Sequence, residues 1–163
     1  MDYQRESILQ IISKLTDKAG APCKKKVQKI IYLIEEYGVD LGFEYKIHIY
    51  GPYCMDLDYT LCELMTEQNL CITYTNKGHI LECRDNINYE NLDNNIEHVI
   101  DIFGKKTAVQ LELITTALFA ERHIENKSDV GIINAVKKIK GSKFSEEKIK
   151  DAIKLLKEKN YIK

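Results

Sequence analysis

Apolar positions in this chain fall into a succession of short helical stripes interrupted by two stretches with strand character. Ile8, Ile11, Ile12 and Leu15 recur at helical spacing within residues 4–19, and Gly20-Ala21-Pro22 breaks that helix. From Lys24, Val27, Ile30, Ile31, Ile34 and Tyr37 repeat the i, i+3, i+4, i+7 pattern of one buried helical face, with Gly38 placed to end it in a left-handed conformation. Tyr45, Ile47 and Ile49 alternate with Lys46, His48 and Tyr50, the period of a half-buried strand, which Gly51-Pro52 is expected to stop. A helix over 54–69 follows, with Leu57, Leu61, Leu64 and Met65 on one face. Two short strands, 71–75 and 79–83, flank Asn76-Lys77-Gly78. A three-residue loop closed by glycine would set Thr75 opposite His79 and Cys71 opposite Cys83.

Beyond a polar run at 84–91 the pattern is helical throughout. Leu92, Ile96, Val99, Ile100 and Phe103 mark one helix, ending at Gly104. Thr107 and Gln110 form a capping box that opens another. The latter is apolar around most of its circumference (Leu111, Leu113, Ile114, Ala117, Leu118, Phe119, Ala120), so it is expected at the buried centre of the second half. Ser128 or Asp129 caps a helix ended by Gly141, and Ser145 caps the last, with Glu146 and Glu147 in its first turn and Phe144 stapling onto Ile149. Tyr161-Ile162 should tuck back beneath it. The expected fold class is mainly α (α+β), with about 60% helix. Residues 1–88 read as a winged-helix-like subdomain of helices, a short strand and a two-stranded hairpin. Residues 89–163 read as a helical subdomain ending in a basic helix, packed on the first as one compact unit.

The stretch from Lys24 to Leu70 also carries a likeness. The run Lys25-x-x-Gln28-Lys29-Ile30-Ile31-Tyr32, an aromatic strand after it, and Tyr50-Gly51-Pro52-Tyr53 resemble the YwgA-like family of small bacterial proteins and the related SocA-like (Panacea) antitoxin domain. The YwgA-like side of the resemblance implies no assigned activity, and the SocA-like side implies a non-enzymatic protein that acts by binding a toxin or handing it to a protease. It brings no catalytic residue with it. Cys54 stands where the family usually has a small serine.

Composition narrows the field. An apolar share of 44% and a charged share of 30% are those of a folded globular chain. No apolar run approaches the roughly 20 residues of a membrane span. Met1 to Glu6 is polar with no apolar run behind it, so no secretory leader is expected and the cytoplasm is the default location. Five cysteines at irregular gaps, without a CxxC pair, point to reduced, buried thiols. A net charge of −1 conceals a division: residues 127–163 hold 11 Lys against five acids, and the rest of the chain is acidic.

Little in the sequence supports an enzyme, a cofactor or a metal site. His79 with Cys83, at most joined by Cys71, on one hairpin face is the nearest approach to a ligand set, and thiols packed in a wing are by far the better explanation of it. Cys54 with His48 upstream is the only thiol–imidazole pair that catalysis would draw on. Phosphate-binding loops and hydrolase or zinc-protease motifs are absent. A winged helix invites DNA, but the helix in the reading position carries Asp56, Asp58, Glu63 and Glu67 with no Lys or Arg between Cys54 and Leu70, and phosphates would repel it. The expected function is therefore an intracellular regulatory module that binds another protein, in the manner of an antitoxin. Its contact surface would be Tyr50, Gly51, Pro52, Tyr53, Asp56, Asp58, Tyr59, Glu63 and Glu67, since tyrosine gives large contact area at low entropic cost. The alternative is a DNA-binding regulator using Lys24, Lys25, Lys26 and Lys29, or Lys137, Lys138, Lys140 and Lys143 of the basic tail. Those lysines otherwise lie solvated on outer faces.

Overall fold

The computed structural model describes residues 1–163 as a mainly α (α+β) fold, 58% helical, with seven helices and two small antiparallel hairpins. The helices are α1 (Tyr3–Ala19), α2 (Lys24–Tyr37), α3 (Met55–Thr66), α4 (Asn94–Phe103), α5 (Ala108–His123), α6 (Asp129–Lys140) and α7 (Glu146–Glu158). The strands are β1 (Lys46–His48) with β2 (Gly51–Tyr53), and β3 (Leu70–Thr75) with β4 (Gly78–Cys83). No helix is long and apolar enough to cross a membrane.

Helix ends follow local chemistry. Asp2, Thr107, Ser128 and Ser145 each accept a backbone N–H from the first turn of the helix they precede, and Thr107 with Gln110 completes a reciprocal capping box. Gly38 closes α2 in the left-handed region at φ +109°. α5 is the hub. It packs against α2, α6, α7 and β2, and α2 packs in turn against α4 and β4. One core of 41 buried residues runs through both halves, from Ile8 and Ile12 of α1 to Ile153 and Leu156 of α7. Tyr161 and Ile162 are buried after the last helix, and the Tyr161 hydroxyl donates to the Leu33 carbonyl, 3.0 Å away.

Two expectations about the strands are corrected. Gly51-Pro52 does not end a half-buried strand. It forms β2, which returns alongside β1 with Lys46 opposite Tyr53, Ile47 opposite Pro52 and His48 opposite Gly51. Proline is tolerated because a two-stranded hairpin consists of edge strands. β1 is exposed on both faces, so Ile47 and Ile49 point away from the core, while Tyr45 packs inward edge-on against Tyr32 with ring centres 5.0 Å apart. The second hairpin turns on two residues, not three. Thr75 pairs with Gly78, which takes φ +113°, and Cys71 faces Glu82 while Leu70 faces Cys83. Since side chains alternate along a strand, that one-residue shift puts Cys71 on the opposite face from His79 and Cys83. It also buries Leu70 and Leu81 against the core.

Candidate functional site

The Lys-x-x-Gln-Lys run and the Gly-Pro-Tyr turn prove to be two halves of one clamp. Lys25, Gln28 and Lys29 stand at i, i+3 and i+4, hence on one face of α2. The Gln28 amide is buried and holds the Cys54 backbone at both ends: Nε2 donates to the Cys54 carbonyl at 2.8 Å, and Oε1 accepts the Cys54 N–H at 3.0 Å. Lys29, only 1% exposed, donates its Nζ to the Pro52 carbonyl at 2.5 Å. Behind the turn, Gly51 sits at φ +92° against α5, so close that a Cβ would lie 2.8 Å from Thr116 Oγ1. Only glycine meets both demands.

The centre of this arrangement is Glu112 on α5, fully buried. Its Oε1 accepts Lys140 Nζ at 2.7 Å and Lys143 Nζ at 2.8 Å, and Lys25 Nζ lies 2.9 Å from its Oε2. Burial would raise the Glu112 carboxyl, but the three ammonium partners outweigh it and hold the group at about 2. Lys29 feels the converse: burial drives it down to about 7, opposed only in part by the nearby Glu112. Lys140 also donates to the Ile49 carbonyl at 2.5 Å, and the Tyr50 ring lies under Lys25, 4.0 Å from its centre, and Lys143, at 5.5 Å. The basic tail thus grips the tip of the first hairpin.

In front of the clamp opens a cleft of about 1180 Å³. Its walls are the β1–β2 hairpin (Lys46, Ile47, His48, Tyr50) and the β3–β4 turn (Lys77, Gly78, His79). The first residues of α2, α3 and α5 line it as well. Large side chains stand exposed at or beside it: Ile47, Ile49 (75% exposed), Tyr50, Met55, Tyr59 (60%) and Val109.

The surface nominated from sequence is divided by this geometry. Tyr50, Tyr59 and Asp56 are exposed, whereas Gly51 and Pro52 are buried and serve the clamp. Tyr53 is half-buried. Its hydroxyl donates to Asp58 Oδ2 at 2.5 Å, and burial first, then the Asp58 bond, pushes its ionisation up. The carboxylates of α3 are less free than a helix without Lys or Arg suggested. Arg5 of α1 reaches Glu63 at 2.6 Å and Glu67 at 2.8 Å, and Lys24 reaches Asp58 at 2.9 Å.

The expectation of solvated lysines is corrected for the α2 cluster, where Lys24, Lys25 and Lys26 are half-buried and Lys29 is buried, and for Lys140, while Lys137, Lys138 and Lys143 are exposed. Lys24, Lys25 and Lys29 are engaged as described, and Lys26 donates to the Gly104 carbonyl at 2.5 Å. Lys137 pairs with Glu146, and Lys140 and Lys143 with Glu112, which leaves Lys138 alone of the eight without a partner. The cations at the start of α2 oppose its dipole, and buried acceptors on neighbouring elements offset that cost.

All five cysteines are free thiols, but only Cys54 is buried. It caps α3, its Sγ accepting the Leu57 N–H at 3.4 Å, and burial pushes the thiol up, away from the nucleophilic thiolate. His48, its sequence partner, is exposed with its ring 5.1 Å from that of Tyr53. Cys83 donates to the Leu9 carbonyl and is raised to about 11 by burial, and the His79 ring stands edge-on to Tyr74.

Sequence reasoning missed Glu112 and Arg5. A single carboxylate inside the apolar run Leu111-Glu112-Leu113-Ile114 was the available signal, since a buried charge demands partners. Arg5 had no signal, because its partners lie some sixty residues away. Comparison with protein-family models and with curated proteins gives no match.

Proposed function

We propose that this chain is a non-enzymatic regulatory module of the cell interior that binds another protein, antitoxin-like in the sense the YwgA-like and SocA-like resemblance implies. One observation carries the reading. The backbone of the Gly-Pro-Tyr hairpin is clamped by Gln28, Lys29 and Lys140, while Ile47, Ile49, Tyr50, Met55 and Tyr59 are left exposed at its tip and on the adjoining face of α3. Rigid supports with exposed apolar and tyrosine side chains are what protein interfaces use, because little entropy is lost on ordering them.

The alternative, a winged-helix DNA-binding regulator, is less well supported. Seven of its eight nominated lysines are engaged within the chain. The enzymatic reading has less support, because burial raises the Cys54 thiol of its one thiol–imidazole pair and His48 stands exposed.

Affinity capture from nuclease-treated extract of the native cell tests the reading, with the product of the neighbouring reading frame as the first partner to try. Wild type should retain a protein partner, and the triple variant Tyr50→Ser, Met55→Ser, Tyr59→Ser should lose it while remaining folded, with only the small drop in melting temperature due to the lost Tyr50–lysine contacts. In a parallel capture from untreated extract, retention of nucleic acid alone, with a steep loss of binding as salt rises, would establish the alternative instead.

A further inference from the structure

We propose that the cleft beside the clamp is a docking groove for an extended acidic segment of the partner protein. This rests on the protein-binding reading above and adds the chemistry of the partner. The cleft is larger than the roughly 300–1,000 Å³ of small-molecule pockets, which suits a stretch of polypeptide.

Its electrostatics favour an anion. Lys46 on β1 and Lys77 in the β3–β4 turn both line the cleft, from different hairpins, and neither makes an ion pair within the chain. Helices α2, α3 and α5 present their N-terminal ends to the same space, each equivalent to about +0.5 of a charge. The first turn of α2 is the most open of these, since its N-cap Cys23 offers it no side-chain bond. Lys24 and Lys25 also border the cleft but are left out of the count, since Lys24 pairs with Asp58 and Lys25 shares Glu112 with Lys140 and Lys143. Glu44 and Asp56 stand against the field, and Asp56 cancels the end of α3 on which it sits. With those two subtracted, about +1.5 charges remain facing the groove.

The same walls expose Ile47, Tyr50, Met55 and Val109. Bases of a nucleic-acid strand could stack on Tyr50 but find no such face on Ile47, Met55 or Val109, whereas a polypeptide alternating acidic and apolar residues matches all four and the lysines. That distinction favours a protein segment over a nucleic-acid strand.

A displayed library of random short peptides, selected on the full chain, tests the proposal. Enriched sequences should be acidic and carry aromatic or branched apolar residues. The best clone, followed by fluorescence polarisation, should bind the Lys46→Glu, Lys77→Glu double variant about tenfold more weakly at unchanged melting temperature. Changing two of the clone's acids to Lys should restore binding to that variant. No enrichment, enrichment without acidic bias, or affinity indifferent to the double variant overturns the groove. So does a single-stranded DNA that outcompetes the peptide with the same variant dependence. If the groove fails while Tyr50, Met55 and Tyr59 remain necessary for partner capture, the protein-binding reading stands and only the acidic chemistry falls.

Discussion

Glu112 and Lys29 are one functional unit at the residue scale, and acid and alkali should act on them in opposite senses. The Glu112 carboxyl sits at about 2 in the folded chain against its usual 4.5. Its contribution is complete above pH 4.5 and drains away as pH falls toward 2. Lys29 sits at about 7 against its usual 10.5, so the unfolded chain holds a proton there that the folded chain has released. Below pH 7 the full penalty of burying the ammonium applies, and between pH 7 and 10.5 stability rises, by at most about 1.4 kcal/mol per pH unit. Urea unfolding across this range should show both slopes. Glu112→Gln should flatten the acid limb, leaving the smaller part due to Asp101 and Glu146, which their lysine partners also lower. It should also cost about 3–5 kcal/mol at neutral pH, because Lys140 is left buried beside a neutral amide. Lys29→Met should flatten the alkaline limb, leaving the smaller rise due to Lys26, which burial also lowers. A wild-type profile flat from pH 7 to 9, below the range in which the raised Cys83 and Cys54 thiols oppose the rise, would mean that the Lys29 amine is better solvated than its burial implies.

At the scale of elements, the β1–β2 hairpin holds its shape through its backbone and through what lies behind it. Gly51→Ala should destabilise the chain by about 2 kcal/mol or more, since the substitution meets both a positive φ and the Thr116 hydroxyl. Adding Thr116→Ala should recover the part due to the clash and none of the part due to φ. Equal stability of the single and double variants would place the whole cost in the backbone. The sequence revealed most of what is local. Thr107 and Gln110, Ser145 and Gly38 announce helix ends through chemistry confined to one turn, and the all-round apolar run on α5 marks a central helix. It did not reveal register. Asn76-Lys77-Gly78 is compatible with a two- or a three-residue loop, and only burial of Leu70 and Leu81 against the core selects the former. Nor did it show that Ile47 and Ile49 face outward, because strand alternation marks two faces without saying that either is covered. The pairing of Gln28 with the Cys54 backbone was hidden for a related reason: main-chain acceptors leave no trace in residue identity.

For the molecule as a whole, the shared core makes the two halves mutually dependent. Residues of α2 such as Ile30, Ile31 and Ile34 are buried in the same core as Leu111 and Leu118 of α5, and the Glu112 cluster joins α2, α5 and the tail. A fragment of residues 1–88 should therefore remain largely unfolded, and the full chain should unfold in a single transition, with far-UV and near-UV dichroism coinciding. A well-dispersed amide spectrum from the fragment would show that the first half stands alone. The grip of α2 on the hairpin carries a practical consequence. Gln28, Lys29 and Lys140 bind carbonyls and an amide, groups that every residue supplies alike, so the identity of the residues at 47 and 49 is free of the fastening, and only Tyr50, under Lys25 and Lys143, takes part in it through its side chain. The tip can then be rewritten for a new target, by natural divergence or in the laboratory, with the mounting beneath it left unaltered.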